Sequence, residues 1–159
     1  FPLWAGRMGD ALAARAAAAA ANAMAREFHG ELVDVTLRKS THTAATRTPA
    51  AAGDPPALVS GTLRRSAVIV PAVSAGSRAV ASCRVAAVYA RIQELGGTVT
   101  VKRAKVLYNK RTKQAFGKSA TLPARPYMKP TRDLLIATGR FRATASTAVF
   151  AVVKEAASG

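Results

Sequence analysis

The side chains that most often carry out chemistry in proteins are sparse in this sequence. It contains one cysteine, Cys83, and two histidines, His29 and His42. A thiol and an imidazole can act as nucleophile and base, but no flanking sequence here supports such a pair. Glu27 and Glu31 lie two residues to either side of His29, a spacing that does not place metal ligands on one helical face. We therefore predict a solvent-exposed His29, a solvated His42 and no metal site.

One segment imitates a phosphate-binding loop. Residues 112–119 read TKQAFGKS, but the motif needs a glycine where Thr112 stands, with a strand before it and a helix after it. Pro123 disfavours that helix. The eight acidic residues are scattered, so no pair of them suits general acid–base catalysis. The sequence predicts a protein that is not an enzyme and needs no cofactor.

Positive charge is the strongest signal in the composition. There are 24 Lys and Arg residues against eight Asp and Glu, a formal net charge of +16. Such an excess indicates a polyanionic or acidic partner. The stretch from Lys102 to Arg132 holds no acidic residue. Its candidate docking residues are Lys102, Arg103, Lys105, Lys110, Arg111, Lys113 and Lys118.

Three interpretations of this basic stretch stay open. The first is a solvated loop that keeps an assembly soluble. The second is a surface that docks onto an acidic protein, and the third is a contact to DNA phosphates. The third interpretation predicts an affinity that falls steeply with salt concentration.

The length of the chain and the residues near its N-terminus predict one domain that begins with a long helix. At 159 residues the chain can bury its own core. Residues 3–38 contain no proline and many alanines, the best helix former. The alanines of Ala16–Ala21 either reflect helix propensity alone or give a smooth face for another helix. Residues 39–61 are rich in Pro, Gly, Ser and Thr and predict a loop.

The middle of the chain, 67–125, predicts a mainly antiparallel sheet. Residues 67–85 alternate as a hairpin with a turn at 74–77, in which Cys83 faces the core and Pro71 marks an edge or bulged strand. A short helix is predicted at 87–95, ending at Gly96. Further strands are predicted at 98–101, 105–108 and 114–117.

The remainder, 130–157, predicts a C-terminal helical region in which Pro130 occupies the first turn and Gly139 gives a kink or an end. The predicted fold class is thus α+β, with the long N-terminal helix and the C-terminal helices packed on the sheet and its hairpins. The sequence contains no run of 18 apolar residues, so it predicts no membrane span.

A proline-rich segment precedes the C-terminal helices. Residues 119–131, SATLPARPYMKPT, hold three prolines around Arg125, Tyr127 and Met128. Proline presets an extended arm at low entropic cost. Two placements stay open for Tyr127 and Met128. They are anchors for a neighbouring subunit, with Arg125 available to a carboxylate or carbonyl, or they fill the core of their own chain.

Three segments, in order, resemble one protein family. Residues 53–66, GDPPALVSGTLRRS, resemble a proline-rich approach followed by Gly-x-Leu-Arg-x-Ser. Residues 88–99, VYARIQELGGTV, resemble a helix end with the pattern Tyr-Ala-x-x-x-Glu/Gln-x-Gly-Gly/Thr. Residues 122–131, LPARPYMKPT, resemble a Pro-Ala-Arg-Pro-Phe-hydrophobic element, with Tyr127 in place of the usual Phe. The ordered set resembles the tail-completion and head–tail joining (neck) proteins of long-tailed bacteriophages.

This resemblance implies a structural virion protein of α+β fold that is assembled in the host bacterial cytoplasm and lies at the head–tail junction. Its expected partners are further copies of itself in a ring, expected to be a hexamer, and neighbouring neck and tail proteins with acidic surfaces. DNA passing through the channel is the alternative partner, for a basic module that contacts phosphates. The implied interface candidates are Leu63, Arg64, Arg65, Arg125, Tyr127 and Met128.

Overall fold

The structure is a computed structural model that describes residues 3–39, 50–101, 106–109, 114–115 and 117–158. A single helical segment forms its N-terminal part. Helix α1 spans Leu3–Gly30, continues as a π-helical turn over Glu31–Val35 and ends in a 3-10 turn over Thr36–Arg38. The predicted long N-terminal helix is confirmed. Its π-helical and 3-10 turns bury Glu31, Leu32, Thr36 and Leu37, and the pattern of alanines and prolines did not indicate this change in geometry.

The predicted hairpin over 67–85 is present. Strand β1 (Ala67–Ala75) pairs antiparallel with β2 (Arg78–Val85), and the register shifts between Val70 and Val73. Pro71 lies at this bulge because it has no N–H to give to a strand ladder. The side chain of Asn22 in α1 accepts a hydrogen bond from the Ala72 N–H at 2.8 Å and so supports the bulge. The turn is shorter than predicted, since the strands extend to Ala75 and resume at Arg78.

The remaining strands form separate pairs rather than one sheet. Strand β3 (Gly97–Thr100) pairs antiparallel with β6 (Ser119–Leu122), and β4 (Tyr108–Asn109) pairs antiparallel with β5 (Gln114–Ala115). Within the described residues the predicted sheet over 67–125 is therefore three two-stranded sheets. The short helix α3 (Ala90–Leu95), confirmed where it was predicted, separates the hairpin from β3.

Two further regions follow the predicted pattern. Residues 50–61 contain turns and irregular chain, while 40–49 lie outside the described residues. A short helix, α2 (Thr62–Arg65), leads into β1, and α4 spans Met128–Ala137 with Pro130 in its first turn. Gly139 separates α4 from α5, which spans Arg140–Ser158.

Helix α5 confirms the helical interpretation of a segment whose valines and threonines also suit strands. It packs along α1, and the rings of Phe28 and Phe141 stack with their centroids 6.5 Å apart. Helix α1 also packs on both hairpin strands, and its Ala21 and Ala25 are buried. The alanine-rich face therefore serves close approach within this chain.

The core joins the end of the N-terminal helical segment, α2, the β1–β2 hairpin, α3 and the start of α4. It contains Leu32, Leu37, Leu63, Ala67, Ala90 and Tyr127, with Cys83 and Val85 of β2 packed against it. Cys83 is thus a packing residue, as its place in the strand alternation predicted. These helices and antiparallel strand pairs confirm the α+β fold class. Within the described residues, no helix has the length and apolarity needed to cross a membrane.

Candidate functional site

The three family-like segments meet around Tyr127. This side chain is 1% exposed and packs in the core cluster that contains Leu63 from the first segment and Ala90 from the second. The Tyr127 hydroxyl donates a hydrogen bond to the Ala90 carbonyl oxygen at 3.1 Å. The aromatic ring is therefore buried with its polar end satisfied, which is the usual condition for a buried tyrosine.

The start of α4 is capped by a residue from another helix. The two carboxylate oxygens of Glu94 in α3 accept hydrogen bonds from the backbone N–H groups of Tyr127, Met128 and Lys129 at 2.7, 2.9 and 3.0 Å. A helix leaves its first N–H groups without backbone partners, and Pro130 has no such group. Glu94 and Pro130 together account for the free donors of the first turn, and the negative carboxylate suits this helix end.

Arg125 ties the proline-rich segment to the loop before α2. Its side chain is 8% exposed, and Nε donates to the Ala50 carbonyl oxygen at 2.8 Å. The Arg125 N–H donates to the Gln93 carbonyl oxygen at 2.7 Å, and the Gly53 N–H donates to the Ala124 carbonyl oxygen at 2.9 Å. The segment therefore holds the loop and α3 together in a fixed arrangement.

Glycine at the end of α3 permits this close packing. Gly96 has φ +68°, and a Cβ atom at this position would lie 2.7 Å from the Ala124 nitrogen and 3.0 Å from the Leu122 oxygen. Both atoms belong to backbone, which cannot turn aside as a flexible side chain can. The glycine of the second segment is thus required by the third segment.

The first segment contributes through its backbone as well as its leucine. Ser66 Oγ donates to the Leu63 carbonyl oxygen at 2.8 Å and accepts from the Ala87 N–H at 3.2 Å. Arg64 pairs with Asp34 at 3.2 Å, which fixes α2 against the end of the N-terminal helix. Arg65 remains exposed.

The structure settles the two placements that the sequence left open for Tyr127. Leu63, Arg125 and Tyr127 are buried in their own chain, so none of the three is exposed to a partner on a single subunit. Met128 and Arg64 are half-buried. The interface role implied for Leu63, Arg125 and Tyr127 is therefore corrected to that of an internal junction, whereas the interface role of Arg64, Arg65 and Met128 stays a prediction.

The basic docking stretch is only partly described. Lys102, Arg103, Lys105, Lys110, Arg111 and Lys113 lie outside the described residues, and Lys118 is exposed ahead of β6.

The histidine expectation needs a correction, because His29 is half-buried and its Nε2–H donates to the Ala67 carbonyl oxygen at 3.3 Å. His42 lies outside the described residues. Among the side chains that are described, no group of three His, Cys, Asp or Glu residues could hold a metal ion.

Two acidic roles were missed by reasoning from the sequence. Glu94 belongs to the helix-end pattern of the second segment, but its capping of α4 depends on a tertiary contact that this pattern does not indicate. Glu27 and Glu31 flank His29 in the sequence, but both pair with Arg140 at the start of α5. The Arg140 Nη1–Glu31 Oε2 distance is 2.6 Å, and Glu31 is 6% exposed. The sequence signal for these ion pairs is Arg140, directly after Gly139. Its partner Glu31, however, lies 109 positions earlier in the chain.

No family model, no curated protein and no solved structure matches this chain.

Proposed function

We propose that this chain is a non-enzymatic structural subunit of a ring at the head–tail junction of a long-tailed bacteriophage. In this role it associates with copies of itself and docks onto neighbouring neck or tail proteins of the virion, after assembly in the host bacterial cytoplasm. One observation carries the proposal. The three segments that resemble this family are far apart in sequence, yet they meet at Tyr127, Ala90 and Glu94.

Convergence matters because chance matches to short motifs have no reason to share one core. Here Leu63, Ala90 and Tyr127 belong to the same buried cluster. Gly96 makes room for the backbone at Ala124, and Glu94 caps the helix that the proline-rich segment begins. Leu63, Ala90, Glu94 and Gly96 thus each have a structural partner in another motif, as expected for a set of residues that specifies one fold.

A structural role also fits the surfaces that this junction leaves open. On the outer side of the hairpin, Val73 and Val80 are paired across the strands and are 73% and 72% exposed. Arg78 and Arg84 lie at the two ends of the same strand face. An apolar centre with charged residues around it is the usual composition of a protein–protein interface.

Size measurement and virion analysis test this proposal. We expect the purified full chain to form a ring-sized oligomer by light scattering, alone or after addition of neighbouring neck proteins, and to be a component of purified virions by mass spectrometry. A chain that stays monomeric with those proteins present and is absent from virions would exclude the head–tail role.

A nucleic-acid-binding module is the second candidate, and the distribution of charge favours it. Arginines pair with Glu27, Glu31, Asp34, Asp133 and Glu155. Glu94 is engaged by backbone N–H groups. The net charge of +16 is what remains after all eight carboxylates are counted, and the phosphates of a nucleic acid would neutralise it.

Duplex DNA titrations at several salt concentrations test this candidate. DNA contact predicts that the logarithm of the association constant falls by about 0.9 per log unit of salt for each phosphate neutralised. Binding that does not change with salt would exclude phosphate contact as its source.

A further inference from the structure

We infer that the unpaired edge of β2 is a docking site for an extended, acidic segment of a partner protein. In the described part of the chain, β2 pairs with β1 alone, so its other edge has no strand beside it. The Ala86 N–H donates to the Ser66 carbonyl oxygen at 2.9 Å. Since backbone groups alternate in direction along an antiparallel ladder, those of Cys83 and Val85 then point away from β1. Such free groups are a template for an added strand.

Two pockets that share Cys83 lie along this edge and together form a cleft. The first, with a volume of about 400 Å³, is lined on the strand side by Ala79–Cys83, and the second, of about 300 Å³, is lined by Cys83–Val85. A pocket on one face of a strand touches alternate residues, because side chains alternate between the faces. Consecutive residues line this cleft, so it runs along the edge. Its strand wall extends over Ala79–Val85, roughly 20 Å at the usual rise per residue. We call it the β2-edge cleft.

Most of the residues in the wall opposite the strand are apolar. Met24, Phe28 and Phe141 line the first part of the β2-edge cleft, and Leu95 and Met128 line the second. Leu95 is 65% exposed although it ends a helix that packs on the core. A strand added to β2 would direct alternate side chains to this wall, and apolar side chains would remove it from water.

The charge of the β2-edge cleft selects an acidic occupant. Arg84 and Arg91 line its second part, and neither forms an ion pair with another described residue. Glu94 lies beside them, but its two oxygens already accept backbone hydrogen bonds. Arg132 lines the first part and pairs with its neighbour Asp133 at 2.7 Å. Carboxylates on the occupant would supply the partners that Arg84 and Arg91 lack.

These features favour a different protein over a second copy or DNA. A second copy carries the same net charge of +16 and offers few carboxylates. DNA would place phosphates and sugars against an apolar wall. The partner would be a neighbouring protein of the proposed ring assembly, and in that respect alone the assignment rests on the proposed function.

A peptide assay tests the β2-edge cleft with the full chain and needs no virion, so its failure is separate from that of the head–tail proposal. The probe is a fluorescent, end-capped heptapeptide of alternating valine and glutamate. We expect fluorescence anisotropy to show binding about tenfold tighter than that of the valine–lysine and serine–glutamate versions. Methylation of alternate backbone nitrogens of the probe should weaken binding about tenfold, because it removes the strand hydrogen bonds.

Two readouts locate the binding. Cys83 is the sole cysteine and lines both parts of the cleft, so the bound probe should slow its reaction with a thiol reagent. The double variant Arg84→Glu/Arg91→Glu should weaken probe binding about tenfold and favour the valine–lysine peptide instead. The matched control is Arg26→Glu/Arg142→Glu, which changes two exposed arginines outside the cleft and should leave binding unchanged.

Circular dichroism verifies that each variant is folded. The assignment is overturned if the valine–glutamate probe does not bind, or if it binds no more tightly than the valine–lysine peptide or the N-methylated probe. The same holds if the double variant binds the probe as tightly as the control variant does. It is also overturned if self-association is lost in the double variant, or if an oligonucleotide displaces the probe at equal concentration. Loss of self-association would assign the edge to a second copy, and displacement by the oligonucleotide would assign it to DNA.

Discussion

At the scale of single residues, Tyr127 joins the parts of the junction through both ends of its side chain. Its ring lies in the core cluster that also contains Leu63, and its hydroxyl donates to the Ala90 carbonyl oxygen. Burial raises the pKa of Tyr127 to about 12, and the charges of Glu94 and Tyr89 add to the increase. The hydroxyl therefore keeps its proton, and its role as a donor, well into the alkaline range.

This shift predicts a loss of stability at high pH. The unfolded chain releases the tyrosine proton near pH 10, whereas the folded chain holds it to about pH 12. The stabilisation is complete below about pH 10 and is lost as the pH rises to about 12, by at most about 3 kcal/mol. Tyr127→Phe should abolish this component and cost about 1 kcal/mol near neutral pH, because the Ala90 oxygen loses its donor.

Urea titrations of both proteins at stepped pH measure the difference in the free energy of unfolding. Because lysines and the other tyrosines titrate in the same range, only the difference between wild type and variant is diagnostic. Parallel curves between pH 10 and 12 would show that Tyr127 is not the source.

Glu94 is the second residue on which the junction depends. Glu94→Ala should lower the free energy of unfolding by about 2 kcal/mol, because three N–H donors at the start of α4 lose their acceptor. The matched control is Glu155→Ala, which removes an exposed carboxylate near the end of α5 and should cost no more than about 0.5 kcal/mol. Urea denaturation of the two variants gives the comparison, and equal losses would rule out the capping role.

At the scale of elements, the junction between α3 and the proline-rich segment depends on backbone-to-backbone proximity. Gly96→Ala should lower the free energy of unfolding by more than about 2 kcal/mol, since the new Cβ meets backbone and the positive φ disfavours alanine. The control is Gly76→Ala in the hairpin turn, where φ is +60° and no atom lies within 4 Å of the added Cβ. It should cost about 1 kcal/mol, from conformation alone. Similar losses in denaturant unfolding would show that proximity to Ala124 is not limiting.

Elements set by local rules were the predictable part of the fold. Alanine content gave α1, alternation gave the β1–β2 hairpin with its bulge at Pro71, and Gly139 marked the end of α4. Contacts between distant residues were not predictable. The division into three strand pairs and the capping by Glu94 depend on where separate segments meet, which periodicity does not encode. For the same reason, the sequence could not decide whether Tyr127 faces inward.

At the scale of the whole molecule, the family-like residues pack inside the fold and the excess positive charge lies on its surface. The family-like residues form an internal junction, and most carboxylates are held by arginines or by the start of α4. What remains for partners is a surface of strongly positive charge with apolar areas on the hairpin and in the β2-edge cleft. Such a surface is costly for an isolated chain because its charges repel one another, and an acidic partner would relieve that repulsion.

The same imbalance predicts that salt stabilises the isolated protein. Raising sodium chloride from about 0.01 M to about 0.15 M shortens the screening length from about 30 Å to about 8 Å. Screening weakens both the repulsion among the positive charges and the attraction within ion pairs. Exposed pairs such as Arg15–Glu155 each contribute at most about 1 kcal/mol, so relief of the +16 repulsion should dominate and the midpoint of thermal unfolding should rise. Differential scanning calorimetry across this range measures the change.

Arg78→Gln, which removes one exposed charge outside any described ion pair, should raise the midpoint of thermal unfolding at low salt and have less effect at high salt. A midpoint that falls with added salt would mean that the ion pairs outweigh the repulsion, and it would remove the energetic reason for an acidic partner.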